Sequence, residues 1–262
     1  VGSRAYFDGV ESRKYFVEPH IPVFAEFDRW NGKKVLEIGC GIGTDTISFA
    51  RAGAQVTAVD LSGESLAVAR RRAAVFGMED RVTFYQADAE HLSEVVPVDE
   101  YDLVYSFGVI HHTPHPREAV REMRRYMGPD SVMKIMVYHR HSWKVFRILT
   151  RYGKGAFWKL DELIARHSEA QTGCPVTYSY SRGTVRDLLD GLSVRRALVD
   201  HIFPYRIPEY KRYEYKKTTL FRWMPRFVFR ALERLWGWHL CVTASPVGSD
   251  WPYHSQDAGE RQ

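Results

Sequence analysis

The sequence predicts an α/β fold: a doubly wound, mainly parallel seven-stranded sheet with helices on both faces and helical insertions after strands five and six. Three observations carry this expectation. From Lys33 short apolar runs alternate with longer helical stretches, the rhythm of strand-helix-strand units. Three glycines at every second position, Gly39, Gly41 and Gly43, follow the first apolar run where a helix should begin. After His139 the rhythm breaks into two long segments separated by a strand-like run, LSVRRALVDHIF.

Taken in order, residues 1–30 read as an arm, irregular and then helical, because Pro19 and Pro22 interrupt YFVEPHIPVFAEF. Such an arm could cover a pocket as a lid. Residues 31–140 form the core, with strands KVLEIG, QVTAVD, VTFYQAD, YDLVYSFG and SVMKIMVYH, and helices over 43–52, 65–76 and 117–127. In a doubly wound sheet the ligand sits at the carboxyl ends of the strands. Residues 141–185 read as a substrate or lid insertion, and 186–245 as two late strands, LSVRRALVDHIF and WGWHLCVTAS, around a basic aromatic insertion. The tail, 246–262, is rich in polar residues and Gly, a composition expected to be disordered.

Composition narrows the class. Of the 262 residues 45% are hydrophobic and 26% charged, and no apolar run approaches the roughly 20 residues that cross a bilayer. The amino-terminal residues lack the basic-then-apolar order of a secretory signal. Cys40, Cys174 and Cys241 are odd in number and widely spaced, which suggests neither a disulfide frame nor a zinc site and points to a reducing cytoplasm. The net charge of +5 is modest, but residues 205–235 mix Lys and Arg with Tyr, Phe and Trp, a face for lipid, nucleic acid or water.

The chemistry concentrates at strand ends. In VLEIGCGIG the alternate glycines allow positive φ and leave no Cβ against a ligand lying on the backbone. A dinucleotide fingerprint would require Gly or Ala at position 44, where Thr44 stands. Asp60 ends the second strand, where a carboxylate can accept two ribose hydroxyls. Asp88 ends the third, placed to accept from an adenine amino group while the Ala89 backbone meets the ring edge. Any one of these residues alone is ordinarily a turn or a cap; several strand ends agreeing is the signal.

Together VLEIGCGIG, VDLS, ADAEHL and DLVYSFGVIHH resemble the class I S-adenosylmethionine-dependent methyltransferases, of the small-molecule type, over about residues 30–140. The resemblance implies that Glu37, Gly39, Cys40, Gly41 and Gly43 run beneath the methionine moiety. It implies that Asp60 and Leu61 meet the ribose, that Asp88, Ala89 and Glu90 meet the adenine, and that Ser106 lies beside the cofactor at the end of strand four. The cofactor expected is S-adenosylmethionine, released as S-adenosylhomocysteine. Gly128-Pro129-Asp130 departs from the Pro-Gly-Gly common in that family before the fifth strand.

The acceptor side is less specific. The sulfonium is already activated, so the protein mainly aligns the acceptor and excludes water, and a base is needed only where a hydroxyl or carbon acid must lose a proton. His111 and His112 resemble a pair common in small-molecule methyltransferases, one near the methyl group and one supporting the loop. With His139 and Glu169 they are the candidate catalytic residues. No pair among His111, His112, Tyr138, His139 and His141 has a metal-ligand spacing, so no metal is expected. Glu169, Gln171 and Thr172 could orient a polar acceptor, and Cys174 reads as buried. Phe221, Met224, Val228, Leu232 and Leu235 recur at helical spacing opposite Arg222, Arg226, Arg230 and Arg234. That helix packs on the core or, over 221–235, touches a membrane surface. The expected partner is a small-molecule acceptor: a secondary metabolite, a sugar or a lipid-linked compound methylated at O, N or C. The alternatives are an RNA methyltransferase and a non-catalytic cofactor-binding regulator. The motifs of base exocyclic-amino and cytosine carbon-5 methyltransferases are absent.

Overall fold

The computed structural model describes residues 2–153, 157–167 and 176–249. Its elements are α1 (Arg4–Val17), α2 (His20–Ala25), β1 (Lys34–Ile38), α3 (Thr44–Arg51), β2 (Gln55–Asp60), α4 (Gly63–Phe76), β3 (Val82–Gln86), β4 (Tyr101–Phe107), α5 (Pro116–Arg124) and β5 (Met127–Tyr138). The later half adds α6 (Trp143–Tyr152), α7 (Leu160–His167), α8 (Thr184–Leu188), β6 (Leu192–Asp200), α9 (Ile207–Lys211), α10 (Thr219–Arg222), α11 (Arg226–Trp236) and β7 (His239–Pro246). The seven strands form one sheet in the order β3-β2-β1-β4-β5-β7-β6, parallel except for β7, which runs antiparallel to β5 and β6.

The chain order reverses between β1 and β4, which opens the carboxyl edge there as a binding crevice. Helices cover both faces, so the central strands read as nearly unbroken apolar runs: every residue of β5 from Ser131 to Tyr138 is buried. Lys134 interrupts that run at 2% exposure. Its ammonium donates to the Phe24 carbonyl at 2.7 Å and pairs with Glu26, which secures the segment after α2 to the sheet. Burial still pushes the Lys134 pKa down to about 8.

The structure departs from the sequence reading in four places. The arm is helical from Arg4, because Ser3 caps α1 by accepting from the Tyr6 amide at 3.2 Å. Pro19 and Pro22 fall at the cap and first turn of α2, where a missing N–H is tolerated. Helix α5 ends at Arg124 rather than 127, and Met127 through Asp130 join β5, with a register shift opposite Tyr101–Leu103. The basic insertion splits into α10 and α11; Leu235, expected on the packing face, is exposed, whereas Glu233 is buried. Glu233 turns inward because Arg230 donates to it at 2.8 Å and the Ile202 amide at 3.5 Å. No described helix is long and apolar enough to cross a membrane. Residues 250–262 of the expected disordered tail lie outside the described residues, and β7 continues to Pro246.

Candidate active site

All three glycines after β1 have positive φ, 79° at Gly39, 54° at Gly41 and 74° at Gly43, and each does so for a different reason. A Cβ on Gly39 would meet Val109 Cγ2 at 2.1 Å, so this glycine lets the loop after β4 close onto the loop after β1. A Cβ on Gly43 would meet Ala69 Cβ at 3.1 Å, where α3 approaches α4. Nothing stands within 4 Å of a Cβ on Gly41: its backbone faces open space.

The acidic residues brace this loop. Asp60 accepts from the Gly41 amide at 2.7 Å and from the Ser62 amide at 2.9 Å, one bond to each oxygen. Each oxygen retains a second lone pair. Asp88 accepts from the Glu90 amide at 2.9 Å, and Glu90 in turn takes the His115 amide at 2.5 Å and contacts its Nδ1 at 3.0 Å. Ala89 and Cys40 are buried, whereas Leu61 is exposed. The Ser106 hydroxyl donates to the Ile38 carbonyl at 2.9 Å and so joins β4 to β1. Glu37 is fully inside the domain and accepts from the Thr46 hydroxyl at 2.5 Å; burial and the nearby Asp45 carboxylate raise its pKa to about 8.

Helix α1 is clamped over α3 and α4. Asp45, in the first turn of α3, accepts from the Lys14 ammonium at 2.7 Å, from the Tyr15 hydroxyl at 3.0 Å and from the Tyr105 hydroxyl at 3.2 Å. Arg72, fully buried, donates to Thr44 at 2.6 Å and to the Phe7 carbonyl at 3.1 Å. Lys14 therefore sits between the glycine loop and a cavity.

That cavity has a volume of about 700 Å³. Lys14, Val17 and Glu18 line it from α1; Phe107, Gly108 and His112 from the loop after β4; and Trp143, Lys144, Arg147 and Arg151 from α6. Further walls come from His201 to Phe203 after β6, from α9, and from Trp236, Trp238 and His239 around the start of β7. Among the described lining residues, aromatic rings and four cationic side chains, Lys14, Lys144, Arg147 and Arg151, stand with one carboxylate, Glu18. The loop after β4 links both halves, since Val109 meets Gly39 while Phe107, Gly108 and His112 face the cavity.

The histidines separate by environment. The His111 ring is fully buried against Tyr138 at 3.9 Å and His112 at 4.1 Å, and burial holds its pKa well below the usual histidine value. His112 is half-buried and lines the cavity, its Nδ1 lying 3.2 Å from the Thr177 hydroxyl and 3.4 Å from the Val176 carbonyl. His139 is buried with Nδ1 3.1 Å from the Gly237 carbonyl, and it is not among the cavity-lining residues. Glu169, Gln171, Thr172 and Cys174 lie outside the described residues.

Several cavity residues carry no local sequence signal. Lys14, Glu18, His201 and His239 line the cavity from opposite ends of the chain, and His20 stands against His239 outside the lining; only the fold brings them together. His20 Nε2 lies 2.9 Å from His239 Nδ1, and the His201 ring stacks on His239 at 4.6 Å between centroids. Burial lowers the pKa of His20 to about 4 and that of His239 well below its ordinary value.

Residues 35–130 match the family model described as "Methyltransferase domain". Methyltransferase GfsG of Streptomyces halstedii is 36% identical over 114 residues, 43% of this chain and 40% of that protein. The ubiquinone biosynthesis O-methyltransferase of Aeromonas salmonicida is 36% identical over 110 residues, 42% of this chain and 45% of that protein. The matches thus span less than half the length of these relatives. A solved S-adenosylmethionine-dependent methyltransferase from Mesorhizobium loti superposes with a TM-score of 0.57 at 21% identity, covering 86% of this chain and 97% of that one.

Proposed function

We propose, from the premise that residues 35–130 are the core of a class I S-adenosylmethionine-dependent methyltransferase, that the protein methylates a small aromatic or apolar acceptor carrying an anionic oxygen. The observation that carries this reading is the loop after β4, which packs on the glycine loop through Val109 and lines the 700 Å³ cavity through Phe107, Gly108 and His112. A donor bound at the glycine loop and an acceptor in the cavity would meet across one short segment.

The residues present fit the cofactor. Gly41 leaves its backbone uncovered, Asp60 and Asp88 keep unused lone pairs at two neighbouring strand ends, and Glu37 and Asp45 supply carboxyl groups near the loop. When bound, S-adenosylmethionine supplies a methyl group activated by its sulfonium. The chain's own part is to orient the acceptor and exclude water. Trp143, Trp238 and Tyr138 offer apolar faces for the acceptor body, while Lys14, Lys144, Arg147 and Arg151 favour a negative group on it. The proton acceptor we assign is His112, a reading supported by its place in the cavity lining and by the contacts of its Nδ1 with Val176 and Thr177. His111 supports that loop from behind, and His139 positions the β5–β7 edge through Gly237.

Calorimetry with S-adenosylhomocysteine, followed by turnover of a panel of hydroxybenzoates and their neutral amides, tests the reading. One-to-one cofactor binding and preference for the anionic acceptors support it. Absence of cofactor binding by the folded chain rejects it.

A second reading concerns location. Trp223 and Phe227 are 78% and 77% exposed, and Leu220 is exposed beside Arg222 and Arg226. Aromatic and aliphatic side chains flanked by arginines suit the interface of an anionic bilayer, from which a lipid-linked acceptor could be drawn. Sedimentation with phosphatidylglycerol vesicles should carry down the parent chain and leave Trp223→Ser/Phe227→Ser in solution. Equal sedimentation of both would reject the contact.

A further inference from the structure

Glu18, His201 and His239 approach one another at the wall of the acceptor cavity, on the side formed by the carboxyl end of α1 and the β6–β7 edge. Each offers one ligand atom, and these atoms lie within 4.8 Å of one another. Glu18 caps α1, His201 follows β6 and His239 opens β7, so three separate segments converge here. All three line the cavity.

We propose that Glu18, His201 and His239 bind a divalent first-row transition cation, zinc by the chemistry of the donors, with an open coordination position facing the cavity. Two imidazoles and one carboxylate form a mixed nitrogen and oxygen set, whereas magnesium and calcium take oxygen ligands. Three protein ligands, rather than four, leave room for a fourth from water or substrate, as in catalytic rather than structural zinc sites. Bonds of about 2.0–2.2 Å to a tetrahedral centre place ligand atoms roughly 3.3 Å apart. No pair in the trio need close by more than about 1.5 Å, and Glu18 Oε1 already lies 3.6 Å from His239 Nδ1.

The surroundings restrict the imidazoles to this arrangement. His239 Nδ1 lies 2.9 Å from His20 Nε2 and 3.6 Å from Glu18 Oε1, so the His20 contact orients the ring, and a cation held between Glu18 and this nitrogen would replace that contact. His201 holds a left-handed backbone with φ of 67°, anchored by its amide on Asp200 at 2.7 Å and by its carbonyl, which accepts from the Trp238 amide at 2.7 Å. That anchoring presents its ring face to His239 at 4.6 Å. One carboxylate cancels half of the cation's charge, and the remainder favours an oxyanion as the next ligand. Resting on the reading of this cavity as the acceptor pocket, the site would select an acceptor by an oxygen able to coordinate metal.

The test uses the full chain, stripped of metal with chelator and titrated with Zn2+ against a chromophoric competitor, and separately with Co2+ read by visible absorption. One zinc per chain and an intense low-coordinate cobalt spectrum are expected. His239→Gln and His201→Asn, the latter chosen because Asn tolerates positive φ, should weaken zinc at least about 100-fold, more than loss of an outer-shell partner does. Glu18→Gln, at a partly exposed position, should weaken it by about 10-fold or more while leaving the apo melting temperature unchanged. His91→Gln, an exposed histidine elsewhere, should change nothing. Zinc that fails to bind at tens of micromolar, or binds equally well to Glu18→Gln and His201→Asn, overturns the site. Because zinc is titrated without cofactor or acceptor, its failure to bind a chain that binds S-adenosylhomocysteine in a separate titration leaves the methyl-transfer reading intact.

Discussion

The two sides of the carboxyl edge are assembled differently. On the β1–β3 side, the residues proposed to hold the cofactor lie at or just beyond a strand end, and the bonds that the Gly41 and Ser62 amides donate to Asp60 keep them within one sequence neighbourhood. On the β4–β7 side, the cavity is a composite of α1, the loop after β4, α6, α9 and the β6–β7 edge. A cofactor common to many enzymes can be held by a compact local motif, whereas an acceptor specific to one enzyme is recognised by side chains that long-range packing places. Substitutions on the first side should therefore act on binding and stability together, and those on the second on acceptor use alone.

The largest expected effect is at Gly39. Gly39→Ala combines a positive φ with a 2.1 Å clash on Val109, which together cost about 2–5 kcal/mol. Melting should fall by roughly 5–15 °C, with cofactor affinity lost. Gly41→Ala shares the positive φ but has no neighbour to strike, so it should destabilise by only about 1–2 kcal/mol while still obstructing the cofactor. Equal melting temperatures for the two variants would refute the division of roles among the glycines.

Asp60→Ala comes next. Charge-assisted hydrogen bonds contribute about 1.5–3 kcal/mol each, so losing two to the ribose should raise the S-adenosylhomocysteine Kd by roughly 100-fold or more. The same oxygens also hold the Gly41 and Ser62 amides, so hydrogen exchange at those amides should rise even without ligand. An unchanged Kd in a folded variant would remove Asp60 from the cofactor site.

The same contrast explains what the sequence disclosed. Alternate glycines after β1 and acids at the ends of β2 and β3 are readable because strand-end position follows from local apolar pattern. The seven strands were legible for the same reason, including β6 and β7. The helical start of the arm was not, because Pro19 and Pro22 suggested interruption where they in fact sit at a cap and first turn. The burial of Glu233 and exposure of Leu235 depend on Ile202 and Arg230, which no helical periodicity encodes. His20, His201 and His239 adjoin Pro19, Asp200 and Trp238 in sequence but one another only in space, so no spacing rule applies to them.

A smaller effect, dependent on pH, sharpens the cofactor side. The folded-state pKa of Glu37 is raised to about 8 by burial and by Asp45, above the ordinary 4.5. Between those values the folded chain holds a proton that the unfolded chain has released, so stability is greatest at low pH and declines as pH rises towards 8. The slope from this group is at most about 1.4 kcal/mol per pH unit. Glu37→Gln should flatten the decline in melting temperature between pH 6 and 8, and a parallel decline in both proteins would assign it elsewhere.

The smallest effect belongs to the cavity rim. Arg147 and Arg151 line the cavity from α6 yet are exposed, so water and salt screen them. An exposed ion pair contributes about 0.2–1 kcal/mol, so Arg147→Gln/Arg151→Gln should weaken an anionic hydroxybenzoate by about 2- to 30-fold if the two contributions add. The amide of the same acceptor should bind both proteins alike, and salt should erase the difference between them. Neither side chain touches the glycine loop, so S-adenosylhomocysteine affinity should not move. Equal losses for acid and amide would mean that the arginine stems, packed as apolar walls, matter more than their charge. A change in cofactor affinity would instead show that the two sides of the edge are coupled through Lys14, the cavity cation that also holds Asp45 at the start of α3.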